Sequence, residues 1–370
     1  MPMTDTYLDL ANAQLNEDLR SDLAATFYVR TAFTEMLRKG GQIKPWPGTP
    51  LVTDTLITGV PGSVQPVVNG DETWTPTLTQ ITKKVSIEQA ELVGYLPMPI
   101  RLIRENKNSK LQLVNLMSAY PDALMLGLSK TMNQWMLTGT IPTSSTDGAV
   151  VGSTADMARI ATLNGIWSSG LGTGVTNGIL DFAAPGSQTD TVFNLAKSST
   201  IGHYNQYAAI TAMATDGELK LRQLVRKTRN ADPAGVSSTS SKSGGANLLI
   251  MDPDSYDKFY AGREEKVLIS TADADVGNSY MEKLTVDGAR ITYDQCMDRT
   301  ASIFSGTDAA NGFGYALNMD YWILFEHEAM NIGAFEKVQM REFLVARIGW
   351  CGQLFCKRLN TQGAFTGGAL

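Results

Sequence analysis

The side chains that most often do chemistry are few in this chain, and their spacing completes no site. The 370 residues include two histidines, His203 and His327, and three cysteines. The run HEAMN, which starts at His327, begins like the zinc motif H-E-x-x-H, but Asn331 stands where the second ligand is needed. Cys351 and Cys356 lack the four ligands and the close pair spacing of a structural zinc site. We therefore expect the histidines and thiols to be structural.

Glycines and aspartates also miss the order that nucleotide or calcium binding requires. Gly172 and Gly174 are followed by Asn177, where the motif G-x-G-x-x-G needs its third glycine. The acids near residue 252 lack the D-x-[DN]-x-[DN]-G order of a calcium loop, and turn or capping roles account for them. We expect no cofactor, no metal and no enzymatic activity. A hydrolase stays as a third hypothesis, whose site would use Asp252, Asp254 and Asp257.

The composition fits a subunit of an assembly and fits an ordinary globular protein of low charge equally well. Only 18% of the residues are charged and 43% are hydrophobic, whereas an average soluble domain has about 25% charged residues. Protein–protein interfaces are depleted in Lys, Glu and Asp, so the deficit fits a large buried surface between subunits. A net charge of −6 excludes a chain that is a nucleic-acid-binding polycation throughout. The three cysteines follow no disulfide pattern and the chain starts without a signal-peptide pattern, so we expect a cytosolic chain. No apolar run is long enough for a membrane span, so we expect no membrane segment.

The elements that must position any site follow an α+β order. Periodicity, turn residues and helix breakers predict a helix up to about residue 40 and a long two-stranded β-ribbon over 51–96. Over 98–137 they predict either one long helix kinked at Pro121 or two abutting helices. The predictions for the rest are loops around short strands over 141–200, a helix over 216–232, a buried strand over 247–252, a helix opened by Asp252-Pro253, and mainly strands to the end.

The β-ribbon carries the candidate contact residues. Its turn is predicted at Asn69-Gly70, a favoured pair for tight hairpins. Because an isolated hairpin is marginal in water, its apolar side must lie on its own core or on a neighbouring subunit, and the pattern leaves both open. The candidates for intersubunit contact are Trp74, Leu78, Ile81, Lys83 and Lys84.

Two basic clusters lie on predicted helices. In each cluster the three- and four-residue steps place the side chains on one helical face. Each face is either solvated, paired with acids of another subunit, or open to a polyanion such as packaged DNA. The candidates for a basic inner surface are Arg101, Arg104, Lys107 and Lys110, and the second cluster is Arg222, Arg226, Lys227 and Arg229.

The order of the elements resembles that of the tailed-bacteriophage major capsid proteins, which share the Hong Kong 97 phage capsid fold. The phrase NQWMLTGT at 133–140 resembles the end of the family's spine helix. The phrase NLLIMDPDSYDKFYAG at 247–262 resembles the strand-then-helix phrase of its axial domain, and the strands from Gly314 onward resemble its closing peripheral strands. The resemblance covers nearly the whole chain and depends on the order of these short motifs.

The resemblance implies five segments. They are an N-terminal arm at 1–45, an extended β-ribbon (the E-loop) at 46–96, the spine helix of the peripheral domain at 97–140, an axial domain with its connector at 141–315, and the closing strands of the peripheral domain at 316–370.

The same resemblance implies a function and partners. The chain would self-assemble into hexamers and pentamers that form an icosahedral shell around phage double-stranded DNA. Its partners would be other copies of itself, a separate scaffolding protein, the portal, packaged DNA held by non-specific contact and, in a decorated virion, a decoration protein. It would be a virion component assembled in the cytoplasm of a bacterial host. The alternative is another phage structural protein: a portal, tail or decoration component.

Overall fold

The α+β class predicted from the sequence is confirmed by the element order. The computed structural model describes residues 32–49, 51–57, 82–101, 127–128, 131–134, 136–137, 162–167, 178–189, 191–199, 202–231, 244–264, 285–294, 297, 311–332, 336–337 and 343–369. The helices are α1 (Ala32–Lys39), α2 (Gly217–Asn230) and α3 (Pro253–Glu264). The strands are β1 (Ile43–Pro45), β2 (Leu51–Ile57), β3 (Thr82–Glu88), β4 (Ala90–Pro99), β5 (Thr162–Trp167), β6 (Gly178–Phe182), β7 (Thr191–Val192), β8 (Leu195–Ala196), β9 (Gln206–Ala209), β10 (Leu248–Met251), β11 (Thr285–Val286), β12 (Ala289–Tyr293), β13 (Asn311–Leu317), β14 (Trp322–Ile332), β15 (Glu336–Lys337), β16 (Phe343–Cys356) and β17 (Gly363–Ala369).

A five-stranded sheet is centred on the long strand β16. β14 pairs antiparallel with it from Trp322↔Cys356 to Ile332↔Ile348, and β4 pairs antiparallel with its residues 343–352. Because β14 and β4 both pair with residues 348–352, they lie on opposite edges of β16. β1 extends the sheet as a parallel neighbour of β14, and β15 pairs with β16 near the start of that strand.

A six-stranded mixed sheet has the order β11-β12-β10-β13-β17-β9. All four residues of β10 are buried, so the continuous apolar run predicted as a buried strand is confirmed. Alternate residues face different cores: Leu248 and Ile250 belong to one hydrophobic cluster, Leu249 and Met251 to another. The first cluster also contains residues of the five-stranded sheet and therefore joins the two sheets.

Helices α2 and α3 cover the second face of the six-stranded sheet. Leu221, Leu224 and Val225 of α2 and Phe259 of α3 are buried in the second cluster. Both helices fall where periodicity and the proline near the helix start predicted them. Asp252 precedes α3, and its carboxylate accepts hydrogen bonds from the backbone N–H groups of Ser255 and Phe313, at 3.1 and 2.9 Å. This capping role is the one predicted for that acid.

The ribbon is shorter than predicted. β2 pairs antiparallel with β3 from Leu51↔Glu88 to Ile57↔Thr82, which confirms a two-stranded ribbon at that end. Residues 58–81, with the predicted Asn69-Gly70 turn, lie outside the described residues. The predicted extension to residue 96 is wrong, because β4 leaves the ribbon at Gln89 and joins β16. An alternating pattern is the same in both sheets, so it could not identify the partner strand.

The long helix begins later than predicted. The sequence placed its start at residue 97 or 98, but β4 continues to Pro99, and helical backbone is described at 100–101, 127–128, 131–134 and 136–137. Pro97 and Pro99 explain the shift, because proline lacks the N–H that a helix interior uses and is tolerated at strand ends and edges. The kink predicted at Pro121 falls outside the described part of the chain.

Two of the expected segments contain residues that belong to the sheets or pack on them. Residues 32–45, assigned to the N-terminal arm, pack on the body: Phe33 is fully buried, with its ring 5.8 Å from that of Trp322, and β1 pairs with β14. The last strand, assigned with 316–370 to the closing peripheral strands, instead pairs with β13 and β9 in the six-stranded sheet. The segment from Asn318 to Gln362 therefore leaves that sheet and returns to it, through pairings that local sequence does not encode.

Candidate intersubunit surface

The base of the ribbon lies on the protein's own core. Val52, Val85 and Ile87 are buried in the first hydrophobic cluster. Thr53, Thr55 and Lys84 point to the opposite side and are exposed. Of the two alternatives that the sequence left open, the first therefore holds for the ribbon's described end, which is anchored on its own chain.

The contact candidates separate into three groups. Trp74, Leu78 and Ile81 lie outside the described residues. Lys84 is exposed on the outer side of the ribbon, whereas Lys83, its neighbour, is half-buried on the side of Val85. The two lysines therefore lie on opposite sides of the ribbon, although the sequence pattern grouped them as one set of contact candidates.

A short hairpin that was not predicted from the sequence packs against the base of the ribbon. β7 and β8 are joined by Phe193 and Asn194, whose φ angles are 56° and 60°. The Phe193 ring packs 5.0 Å from that of Phe355 in β16. The Ser86 N–H of β3 donates to the Phe193 carbonyl at 3.2 Å, and the Asn194 side-chain amide donates to the Ser86 hydroxyl at 2.6 Å. Asn tolerates this turn but Phe rarely adopts positive φ, so the pair gave a weak hairpin signal.

A buried ion pair holds the chain beneath this hairpin. The Lys197 ammonium lies 2.6 Å from the Asp181 carboxylate, and the two side chains are 0% and 2% exposed. The ammonium also donates to the Gly178 carbonyl at 3.2 Å. Asn205 accepts from the Asp181 N–H and donates to the Asp181 carbonyl, both at 2.8 Å. The Gln188 side chain donates to the carbonyl of Asn205 and accepts from its N–H. Each charge is therefore matched where desolvation is costly.

His203 lies in the same region and stays neutral. Its backbone pairs with Ser198, and its Nε2 atom is buried without a hydrogen-bond partner among the described residues. Burial and the charges of Lys197 and Lys83 together lower the pKa of His203 to about 4, against the opposite effect of its hydrogen bond to the Val192 carbonyl. The placement of this histidine agrees with the structural role predicted for it.

The predicted basic candidates are only partly described. Arg101 is exposed, and Arg104, Lys107 and Lys110 lie outside the described residues. The second cluster lies on α2, as predicted, and its three arginines bond to groups of the same chain: Arg222 to Glu218, Arg226 to Asp287, and Arg229 to the carbonyls of Gly244 and Asp287.

The residues with reactive side chains can be placed where the structure describes them. No group of three or more His, Cys, Asp or Glu side chains in this part of the chain is placed to bind a metal ion. Burial raises the pKa of Cys356 well above that of a free thiol, which disfavours the reactive thiolate. Asp254 and Asp257 are exposed on α3, apart from the capping Asp252. No helix described in the structure is long and apolar enough to span a membrane.

Comparison with known proteins gives likeness in structure alone. No family model and no curated protein matches the sequence. The chain is similar to a chain of Mycobacterium phage Ogopogo, with a TM-score of 0.51 and 9% identity over 90% of this chain and 91% of that one. It is also similar to a chain of the capsid of Myoviridae phage XM1, with a TM-score of 0.46 and 14% identity over 90% of this chain and 92% of that one. A chain of the virus-like particle from Pyrococcus furiosus matches with a TM-score of 0.45 and 9% identity over 98% of this chain and 100% of that one. The likeness to the Ogopogo chain shows that the two chains share a fold, which agrees with the fold expected from the sequence.

Proposed function

We propose that this chain is the major capsid protein of a tailed bacteriophage and builds the shell by self-assembly. The observation that carries the proposal is the fold shared with a phage chain over nine-tenths of both sequences. The low fraction of charged residues agrees with a chain that buries much of its surface against copies of itself. In the proposed virion the copies form hexamers and pentamers of an icosahedral shell around double-stranded DNA.

The described elements can be assigned within this role. We assign the five-stranded sheet, with the helical backbone described at 100–101, 127–128, 131–134 and 136–137, to the peripheral domain and its spine helix. The six-stranded sheet with α2 and α3 corresponds to the axial domain, which takes β17 as well. The extended ribbon begins from β2 and β3, and the arm comprises residues before Ala32.

The ribbon is the proposed contact element between subunits. Phe193, Asn194 and the core around Val85 hold the base of the ribbon in place, so a contact made further along the ribbon would attach the neighbouring subunit to the body of this one. Lys84 lies on the outer side of the base and is the described candidate for such a contact. Trp74, Leu78, Ile81 and Lys83 keep the same role as candidates from the sequence, although Lys83 is half-buried on the inner side of the ribbon.

The other partners follow from the proposed role. Scaffolding protein, portal and any decoration protein would be separate chains, and assembly would take place in the cytoplasm of a bacterial host. Packaged DNA would be held by non-specific contacts, for which Arg101, Arg104, Lys107 and Lys110 remain the proposed inner-surface candidates.

A ribbon deletion tests the proposal. Ile57 and Thr82 pair across β2 and β3, so a two-residue Asn-Gly turn can replace residues 58–81 and close the hairpin. We expect this variant to keep the thermal unfolding midpoint of the full chain as a monomer and to form no closed shells. Sedimentation and negative-stain electron microscopy of both chains under the same conditions give the result. Shells of normal yield from the deleted variant would overturn the role given to the ribbon.

A further inference from the structure

Helix α2 presents a basic and partly apolar stripe to solvent. It carries five basic residues and one acid, a net charge of +4 in a chain of −6, so the remainder of the chain carries −10. One side of the helix is buried in the second core. The other side exposes Leu219, Arg222, Gln223, Arg226 and Lys227, and Leu219 is 59% exposed.

The composition of this stripe favours a protein partner over DNA. A nucleic-acid surface would present cations without carboxylates between them. Here the guanidinium of Arg222 lies 2.5 Å from Glu218 and that of Arg226 lies 2.9 Å from Asp287. The exposed Leu219 offers apolar surface that a phosphate backbone would not cover but a protein would.

An acidic counterpart is present on the neighbouring helix. Asp254 and Asp257 of α3 are exposed and lie one turn apart. α3 packs on the same core as α2, since Phe259 of α3 and Leu224 of α2 belong to one cluster. Each copy therefore displays, on the same layer, a helix of net charge +4 and a helix of net charge −1 with two exposed aspartates.

We propose that the α2 stripe of one copy docks on the acidic side of α3 in a second copy. The contact is heterologous, because the second copy still presents its own α2 to a third, and such contacts close into rings when the rotation between copies allows. The inference rests on the proposed function, since it names a contact by which the copies would associate.

Charge reversal on each helix tests the contact. The variant Arg226→Glu/Lys227→Glu reverses the stripe, Asp254→Lys/Asp257→Lys reverses its counterpart, and a third variant carries all four changes. Since facing like charges are repulsive, we expect each half-reversed variant to give at least about tenfold less assembled protein, and the four-fold variant to recover to within about threefold of the wild type. Thermal unfolding of each variant shows that the monomers remain folded. Assembly is measured by sedimentation and electron microscopy in the absence of DNA.

The outcomes separate the possible failures. If the wild type and both half-reversed variants assemble equally well, the α2–α3 contact is wrong and the proposed function stands. The contact is also wrong if the four-fold variant is no better than either half. If the stripe variant forms shells in normal yield without DNA, and these shells then bind less added DNA than wild-type shells in a second sedimentation experiment, the stripe serves DNA and the proposal is overturned. If the wild type forms no oligomer at all, the proposed function and the contact fall together.

Discussion

Acidification should weaken the fold through His203, and a single substitution isolates the effect. In the folded chain the imidazole is buried beside Lys197 and Lys83, and its pKa falls from 6.5 to about 4. In the unfolded chain the imidazole is solvated and titrates near 6.5. Between these two values the unfolded state binds more protons than the folded state, so stability is complete above about pH 6.5 and is lost as the pH falls towards 4.

The size of the effect follows from the shift. Each pKa unit corresponds to about 1.4 kcal/mol, so lowering the pKa from 6.5 to about 4 limits the loss to about 3 kcal/mol. At about pH 5 the unfolded imidazole is almost fully protonated and the folded one is mostly neutral, which gives a loss of about 2 kcal/mol from this group. This loss is a large fraction of the free energy that holds a typical domain folded.

Urea unfolding measures the free energy of unfolding at about pH 7.5 and about pH 5 for three chains: the wild type, His203→Gln and His327→Gln. His327 is exposed and serves as the matched control for removing one histidine. Other groups also titrate in this range, so the informative quantity is the difference between variants in the loss on acidification. We expect His203→Gln to lose about 2 kcal/mol less than the wild type and His327→Gln to behave as the wild type. Equal losses in all three chains would refute the reasoning.

Three further predictions concern the described core and the ribbon. Lys197→Met should cost about 3–5 kcal/mol in thermal or urea unfolding, because it leaves the buried Asp181 carboxylate without its counter-charge; a cost below about 1 kcal/mol would contradict the pairing. Gly352→Ala should cost about 1–3 kcal/mol, because an added Cβ would lie 2.5 Å from a β14 carbonyl, while Gly349→Ala in the same strand meets nothing within 4 Å and should be nearly neutral. Lys84→Glu should leave the unfolding midpoint unchanged and lower the yield of assembled protein in sedimentation, and unchanged assembly would remove Lys84 from the contact.

Local patterns predicted the elements whose contacts are local. The apolar run of β10, the periodicity of α2 and the capped, proline-opened start of α3 each appear in the structure, because burial and capping act over a few residues. The order of these elements, compared with a known family, also predicted the fold that the Ogopogo likeness supports.

Features that depend on distant pairing were not predictable in the same way. β4 alternates like a ribbon strand, yet its partner is β16, about 250 residues further along. The β7–β8 hairpin depends on an unusual Phe at positive φ, and Ser86, which Asn194 of this hairpin contacts, is 108 residues away from Asn194. The pairing of Lys197 with Asp181 lies within a Gly-rich stretch where polar residues predict loops, so only the folded chain identifies it as a buried pair.

Electron microscopy of the purified chain tests the central claim most directly. The chain is produced in a bacterial host, with a scaffolding partner where one is supplied, and its sedimentation profile is recorded beside negative-stain images. The account predicts closed shells tens of nanometres across, in which one chain forms both hexamers and pentamers. A chain that stays monomeric under every assembly condition, or that forms only rings or tubes, would contradict it.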